Sequence, residues 1–340
     1  MLGGGVFVTQ NKVLPGSYIN FVNASSAGST VSDRGVVAIA LPLNKAPGTV
    51  IEITVDDFNK NCSTILGVER DSTTALPLRE IFRHATKVYV YDLGTDGDHD
   101  ACLTAFEAYD FNVLCVYGQG GDDAENAIDQ VKTWRDTMGK KCQAVVQYYD
   151  GMTYDHEGII AVDEANSNLV PWVAGAEAGC ALNKSCTNML YDGELTVTTN
   201  KTQAQLEACI TSGKIAFHLV YGEVRLLEDI NSLVTTTADK GEDFKSNQTI
   251  RVVDQIANDI AKLFNTKYLG RIPNNETGRA SLWGEIVKHH RQLEEIGCIE
   301  YFDSSLLTVA QGNTKKAIVV HDCVTVVNAM TQLYMTVVIQ

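Results

Sequence analysis

Two glycine- or aspartate-rich turns and a scatter of histidines are the residues of this chain that could do chemistry. Gly118-Gln-Gly-Gly121 stands between an apolar run and a helical pattern, which is the placement of a phosphate-binding turn. Asp122 and Asp123 follow where the phosphate would sit. Their carboxylates satisfy the free N–H groups of the helix start and repel an anion. No GxxxxGK followed by Ser or Thr occurs anywhere. Asp96-Gly-Asp-His-Asp100 with Glu107 has the acidic spacing of a calcium loop, but the position that needs glycine carries Ala101. Residues 101–109 also read as helix, which favours an acidic turn ending in a capped helix.

The seven histidines, at 84, 99, 156, 218, 289, 290 and 321, include no HExxH. His289 and His290 lie on one amphipathic helix, where one is expected to face in and one out. His321 and Asp322 are neighbours on a strand and should point to opposite faces. There is no GxSxG elbow, and the pairs Asp56-Asp57 and Glu294-Glu295 read as solvated faces. The nine cysteines form no CxxC pair and several sit in apolar runs. They read as reduced thiols packed in a core, not as zinc ligands. No cofactor, no metal and no catalytic residue is expected.

Composition narrows the role further. Hydrophobic residues make up 45% and charged residues 20% of the 340 positions, the balance of an ordinary globular protein. The formal net charge of −15 disfavours nucleic acid and anionic membrane as partners, because phosphate contacts need clustered Lys and Arg. No apolar run approaches the roughly 20 residues of a membrane span, so no membrane insertion is expected. The opening MLGGGVFVTQNK lacks a charged start and an apolar stretch, so the chain is expected to fold in the cytoplasm.

The elements that would position these groups fall into five stretches. Residues 1–22 read as an extended arm, with Gly3-Gly4-Gly5, a turn at Pro15-Gly16 and strand composition in Ser17-Tyr-Ile-Asn-Phe21. Residues 23–85 form a β-rich segment with strands at 36–41 and 49–55 and short helices at 57–66 and 78–85. Residues 86–200 alternate apolar strands (87–93, 112–117, 143–149, 158–162) with helices (101–109, 124–138), the pattern of a small α/β unit. The helix near 169–182 carries Ala174, Gly175, Ala176, Ala178 and Gly179, which permit close approach of a neighbouring backbone. Residues 201–330 read as a mixed α+β domain: a capping box at Thr202-Gln-Ala-Gln205, a hairpin around Gly222-Glu223, two long amphipathic helices, and strands near 298–302 and 317–321. Residues 331–340 form a terminal strand, free to pair with its own domain or with another chain.

The last third also carries a linear series of motifs. Glu223-Val-Arg-Leu-Leu-Glu-Asp-Ile-Asn-Ser-Leu233 leads to Thr237-Ala-Asp-Lys-Gly-Glu-Asp-Phe244. Arg251-Val-Val-Asp-Gln-Ile-Ala-Asn-Asp-Ile260, Tyr268-Leu-Gly-Arg-Ile-Pro-Asn-Asn275, Gly278-Arg-Ala280 and Leu333-Tyr-Met-Thr-Val-Val338 follow. This series resembles the C-terminal domain of contractile phage tail sheath proteins, especially the short prophage-type sheaths of Gram-positive bacteria. The opening Gly3 to Asn20 and the stretch from Ala174-Gly175 to Leu182-Asn-Lys-Ser185 resemble the same family.

The resemblance implies a non-enzymatic structural subunit of a virion or phage-tail-like particle, assembled in the bacterial host cytoplasm. Such subunits stack as hexameric rings around a tail tube. Their partners are copies of the same chain, the tail tube protein, and baseplate and tail terminator proteins. Arms of neighbouring copies add strands to one another while the sleeve shortens and drives the tube through an envelope. The expected linking strands carry Tyr18, Ile19 and Phe21 at one end and Tyr334, Thr336 and Val338 at the other. Lys288, His289 and Arg291 offer local positive charge that could face an acidic tube; an ordinary solvated face balanced by Glu285, Glu294 and Glu295 is the competing reading. Two other functions stay open at this point. One is a nucleotide- or sugar-binding α/β enzyme built on residues 86–165, and the other is a cytoplasmic oligomer with no tail role.

Overall fold

The computed structural model describes residues 31–339 apart from 96, 119 and 165, together with the backbones of 3–4 and 18–19 near the N-terminus. Those two backbone pieces, β1 (Gly3–Gly4) and β2 (Tyr18–Ile19), pair in parallel. Phe21 lies outside the described residues.

The body is built on a seven-stranded sheet. Its strands are β3 (Val36–Leu41), β4 (Val50–Thr54), β5 (Lys87–Asp92), β6 (Val113–Val116), β7 (Gln143–Gln147), β8 (Ile159–Val162) and β9 (Lys214–Ile215). In space the order is β4-β5-β3-β6-β7-β8-β9. Every pairing is parallel except that of β4 with β5. The central strands are apolar along their whole length because both faces are covered. Val37, Ile39 and Leu41 of β3 point into one core, which includes α1 (Val55–Leu66), α2 (Leu76–Ile81) and α5 (Val170–Gly179). Ala38 and Ala40 point into the other, under α3 (His99–Phe106) and α4 (Gly121–Asp136).

This sheet crosses both expected boundaries of the α/β unit. β3 is the first strand of the sheet in sequence and lies between β5 and β6, so residues 36–85 are part of the α/β unit and not a segment before it. At the other end β9, beyond residue 200, closes the row.

Helix α5 packs as its small residues suggest. A Cβ on Gly175 would stand 2.4 Å from the Ile81 carbonyl oxygen, and one on Gly179 would stand 2.1 Å from that of His84. The expected capping box is formed: the Gln205 N–H donates to Thr202 Oγ1, and Gln205 Oε1 accepts from the Thr202 N–H, at the start of α6 (Gln203–Thr211). The hairpin of β10 (Phe217–Val220) and β11 (Glu223–Leu226) turns one residue earlier than expected, at Tyr221-Gly222, both with positive φ.

The C-terminal part packs α7 (Asn247–Leu263), α8 (Glu276–Glu295) and a hairpin of β12 (Thr308–Gln311) with β13 (Ile318–His321) around their own core. Strand β12 has no counterpart in the expected elements, and residues 298–302 contribute only an isolated bridge, Ile299 to Val326. Eight of the nine cysteines are buried and all are free thiols; Cys323 alone is exposed.

Candidate assembly site

An enzyme built on this sheet would need the glycine turn or the acidic turn. Gly118 ends β6 with φ +70, and Gly120 caps α4 without a side-chain hydrogen bond. The turn sits at the C-terminal edge of the sheet, beside β3, where strand order reverses and doubly wound folds hold ligands. Here the chain fills part of that edge itself. The Asp92 carboxylate, at the end of β5, accepts from the N–H groups of Leu43, Asn44, Lys45, Ala46 and Gly94 at 2.7–3.2 Å. Burial works against its ionised form, but the amides outweigh it and hold the carboxyl below the usual range. Asp98, from the calcium-like turn, instead caps α3 by accepting from the Ala101 N–H at 2.9 Å. Asp96 lies outside the described residues.

Two acidic clusters, one buried and one reaching the surface at Asp136, have the proximity of metal ligands, and each already holds a cation. Glu177, Cys186 and Asp229 surround the Arg251 guanidinium. Arg251 Nη2 donates to Asp229 at 2.6 Å, and Nη1 donates to Glu177. Burial opposes ionisation of Asp229, but Arg251 holds it below its usual range. Burial and then Asp229 push Glu177 well above its usual range. The second cluster, Asp136, His156 and Glu157, takes Lys240 at 2.8 Å from Glu157. His156 Nδ1 accepts from the Gly158 N–H at 2.9 Å, so Nε2 carries the proton shared with Asp136 at 3.0 Å and neither nitrogen is left for a metal.

The first cluster has a further consequence: with a separate buried ion pair, it joins α7 to the helices that cover the sheet. Arg251 of α7 reaches Glu177 of α5. Asp254 of α7 accepts two bonds from Arg135 of α4, at 2.5 and 2.8 Å. All four side chains are buried. Arg135 in turn leaves no room at Gly158, where a Cβ would come within 2.3 Å of it.

The segments around Ser32 and Ala329 are laid against the same helix. Ser32 N–H donates to Asp259 at 3.2 Å, and Gln255 Nε2 donates to the Ser32 carbonyl at 3.0 Å. At the other end the Ala329 N–H donates to Gln248 Oε1 at 2.9 Å, Gln248 Nε2 donates to the Val327 carbonyl, and Asn328 donates to Thr249 Oγ1 at 3.1 Å. Beyond Ala329 the chain is exposed. Tyr334 is 87% and Val338 79% accessible, with Thr336 exposed between them. Among the described residues no strand pairs with 330–339, so the expected terminal strand is not formed within the single chain. The β12–β13 hairpin likewise has no third strand on either edge among the described residues.

Helix α8 departs from expectation. Both His289 and His290 are buried, not one of them. His289 Nε2 lies 2.9 Å from Asp259 and His290 Nε2 lies 3.1 Å from Asp322, so distant carboxylates widen the inward face of the helix. His289 therefore cannot belong to an outward positive patch. Lys288 is exposed and Arg291 half-buried, bonded to Glu294 at 2.6 Å.

Comparison with known proteins identifies the family. Residues 94–232 match the phage tail sheath protein central domain, and residues 239–340 match the phage tail sheath C-terminal domain. The chain belongs to the phage tail sheath family. It is 29% identical over 269 residues to the phage-like element PBSX protein XkdK of Bacillus subtilis, covering 72% of this chain and 57% of that one. It is 25% identical over 229 residues to the tail sheath protein of Clostridium phage phiCD119, covering 65% and 62%. The chain thus spans between a half and two thirds of the length of these curated relatives. In fold it is similar to the sheath tail protein of Listeria innocua, with a TM-score of 0.77 at 21% identity over 88% of this chain and 93% of that one. The two sheath domains meet between residues 232 and 239, later than the boundary expected at 200.

Proposed function

We propose that this chain is a structural subunit of a contractile tail sheath. It polymerises as stacked hexameric rings around a tail tube and carries out no reaction of its own. The observation that carries this reading is the exposed apolar segment 330–339 on a subunit that also has an open-edged hairpin. A segment with the composition Leu333-Tyr-Met-Thr-Val-Val-Ile339 is not stable in water as an isolated strand. Added to a neighbour's sheet, each of its backbone hydrogen bonds contributes about 0.5–1.5 kcal/mol. Tyr334, Thr336 and Val338 then lie on one face of the added strand. Tyr18, Ile19 and Phe21 serve the same purpose at the other end.

Its partners are further copies of the chain, the tail tube protein, and baseplate and tail terminator proteins, in a particle assembled in the bacterial host cytoplasm. Lys288 and Arg291 are the residues of α8 offered to an acidic tube. The enzyme alternative loses support from Asp92, Arg251 and Lys240, which occupy the places a ligand or metal would take. Among the described residues no helix is long and apolar enough to cross a membrane.

Electron microscopy of purified protein tests the reading. The full chain should form rings or striated tubes at high concentration. Deletion of residues 331–340 should leave a folded body that no longer polymerises. Normal tubes from the deleted chain would overturn the linking role of that segment.

A further inference from the structure

We infer that α7 is the common mount of both chain ends, and the strut through which pull on one arm reaches the other without passing through the central sheet. This rests on the reading of the ends as links between copies.

The order of attachments along the chain carries the inference. Coming in from the N-terminal side, the chain is fastened to Gln255 and Asp259 at Ser32. Only afterwards do the Gly35 and Val36 N–H groups bind Asn112 and β3 enter the sheet. Coming in from the C-terminal end, the first fastenings are those of Ala329, Asn328 and Val327 to Gln248 and Thr249. The bridge at Val326 and the Asp322–His290 contact lie further in. On each side, then, the outermost hydrogen bond to the body among the described residues is on α7.

The four mounting side chains, Gln248, Thr249, Gln255 and Asp259, are all buried, while their partners lie at the surface, so each bond is half-shielded from water. Positions 248 and 259 are 11 residues apart, about 16 Å at 1.5 Å per residue. An α-helix carries axial tension through its own ladder of hydrogen bonds. Between the two mounts, Arg251 and Asp254 tie the helix sideways to Glu177, Asp229 and Arg135. The sheet is therefore held from the side of the strut, also by Gln143 of β7 bonding Asn247 and by Asn258 bonding the Lys141 carbonyl, instead of lying in the line of pull. A body suspended in this way can change its orientation while the tie between neighbours persists.

Optical-tweezer pulling on the unassembled full chain, with handles at its two ends, tests this. In the unaltered protein the first rupture should release the ends from α7 and leave the sheet folded. The paired substitution Gln248→Ala with Thr249→Val, and separately Gln255→Ala, which leaves the Asp259–His289 contact in place, should each lower the first-rupture force at least twofold. The later rupture of the sheet should stay unchanged, which separates a lost mount from a damaged fold. A first-rupture force unchanged in both variants would overturn the inference, as would a first rupture that already releases the sheet. If the chain lacking 331–340 still builds tubes, the linking reading fails, while the pulling result stands or falls independently.

Discussion

Arg135 on α4 and Asp254 on α7 meet in a buried two-point ion pair, 119 residues apart in sequence, with bonds of 2.5 and 2.8 Å. A buried pair of this kind is strongly destabilising to break, because the survivor is left charged and without its partner. Asp254→Ala should cost about 3–5 kcal/mol, read as a lowered midpoint in urea unfolding. The double replacement Arg135→Met with Asp254→Leu should recover most of that loss. An equal loss in the single and double variants would mean that the pair acts through packing and not through its charge.

The root of the C-terminal arm should respond to pH. Burial and then His289 push His290 down to about 2, and burial pushes Asp322 up to about 8. Between those values the folded pair holds a single proton. Unfolded, the two groups lose theirs near 3.9 and 6.5. Above about pH 6.5 the unfolded chain therefore binds one proton fewer than the folded one, so stability falls as pH rises toward 8, by about 2 kcal/mol in all. Below about pH 3.9 the unfolded chain binds one proton more, so stability falls as pH drops. Between those limits the two effects cancel. Unfolding followed by tryptophan fluorescence across this range should show that plateau, and Asp322→Asn should remove the alkaline slope.

Glycines on two helices should behave in opposite ways. Gly179→Ala places a Cβ against the His84 carbonyl oxygen, which is backbone and cannot step aside. The expected cost is on the order of 1–3 kcal/mol. Gly284, inside α8, has nothing within 4 Å of its would-be Cβ. Gly284→Ala should stabilise by up to about 1 kcal/mol through helix propensity. Thermal melting of the two variants against the unaltered chain measures both.

The β10–β11 hairpin offers a trade between stability and contact. Tyr221 is fully exposed with φ +50, ahead of Gly222 at +87. A two-residue turn of this handedness favours Asn-Gly. Tyr221→Asn should stabilise the isolated subunit by about 1 kcal/mol. Lower polymerisation in the same variant would assign the tyrosine to a contact between subunits.

Local signals in the sequence carried much of this fold. The strands of the parallel sheet were visible as short apolar runs, the start of α6 as Thr202 and Gln205, and the packing of α5 as its stripe of small residues. The order of the strands was not visible, because placing β3 between β5 and β6 depends on pairings dozens of residues apart. Strand β12 is short and mostly exposed, so it lacks an apolar pattern, although Gly312-Asn313 marks the turn after it. The two histidines of α8 misled for a physical reason. A helix steps about 100° per residue, and adjacent positions can both face inward when a buried carboxylate waits for each. Nothing near His289 in sequence announces Asp259 or Asp322. The mounts on α7 were hidden in the same way, since Gln248 and Gln255 look like ordinary polar positions until Ala329 and Ser32 are seen against them.

Burial of eight thiols, with Cys323 left at the surface, gives the molecule a natural labelling point. A maleimide dye added to folded protein should attach once per chain, beside the place where the C-terminal arm begins. Dyes on adjoining copies would then report by energy transfer the spacing of those junctions, and whether it changes in the way proposed for a contracting sleeve. No engineered cysteine would be needed.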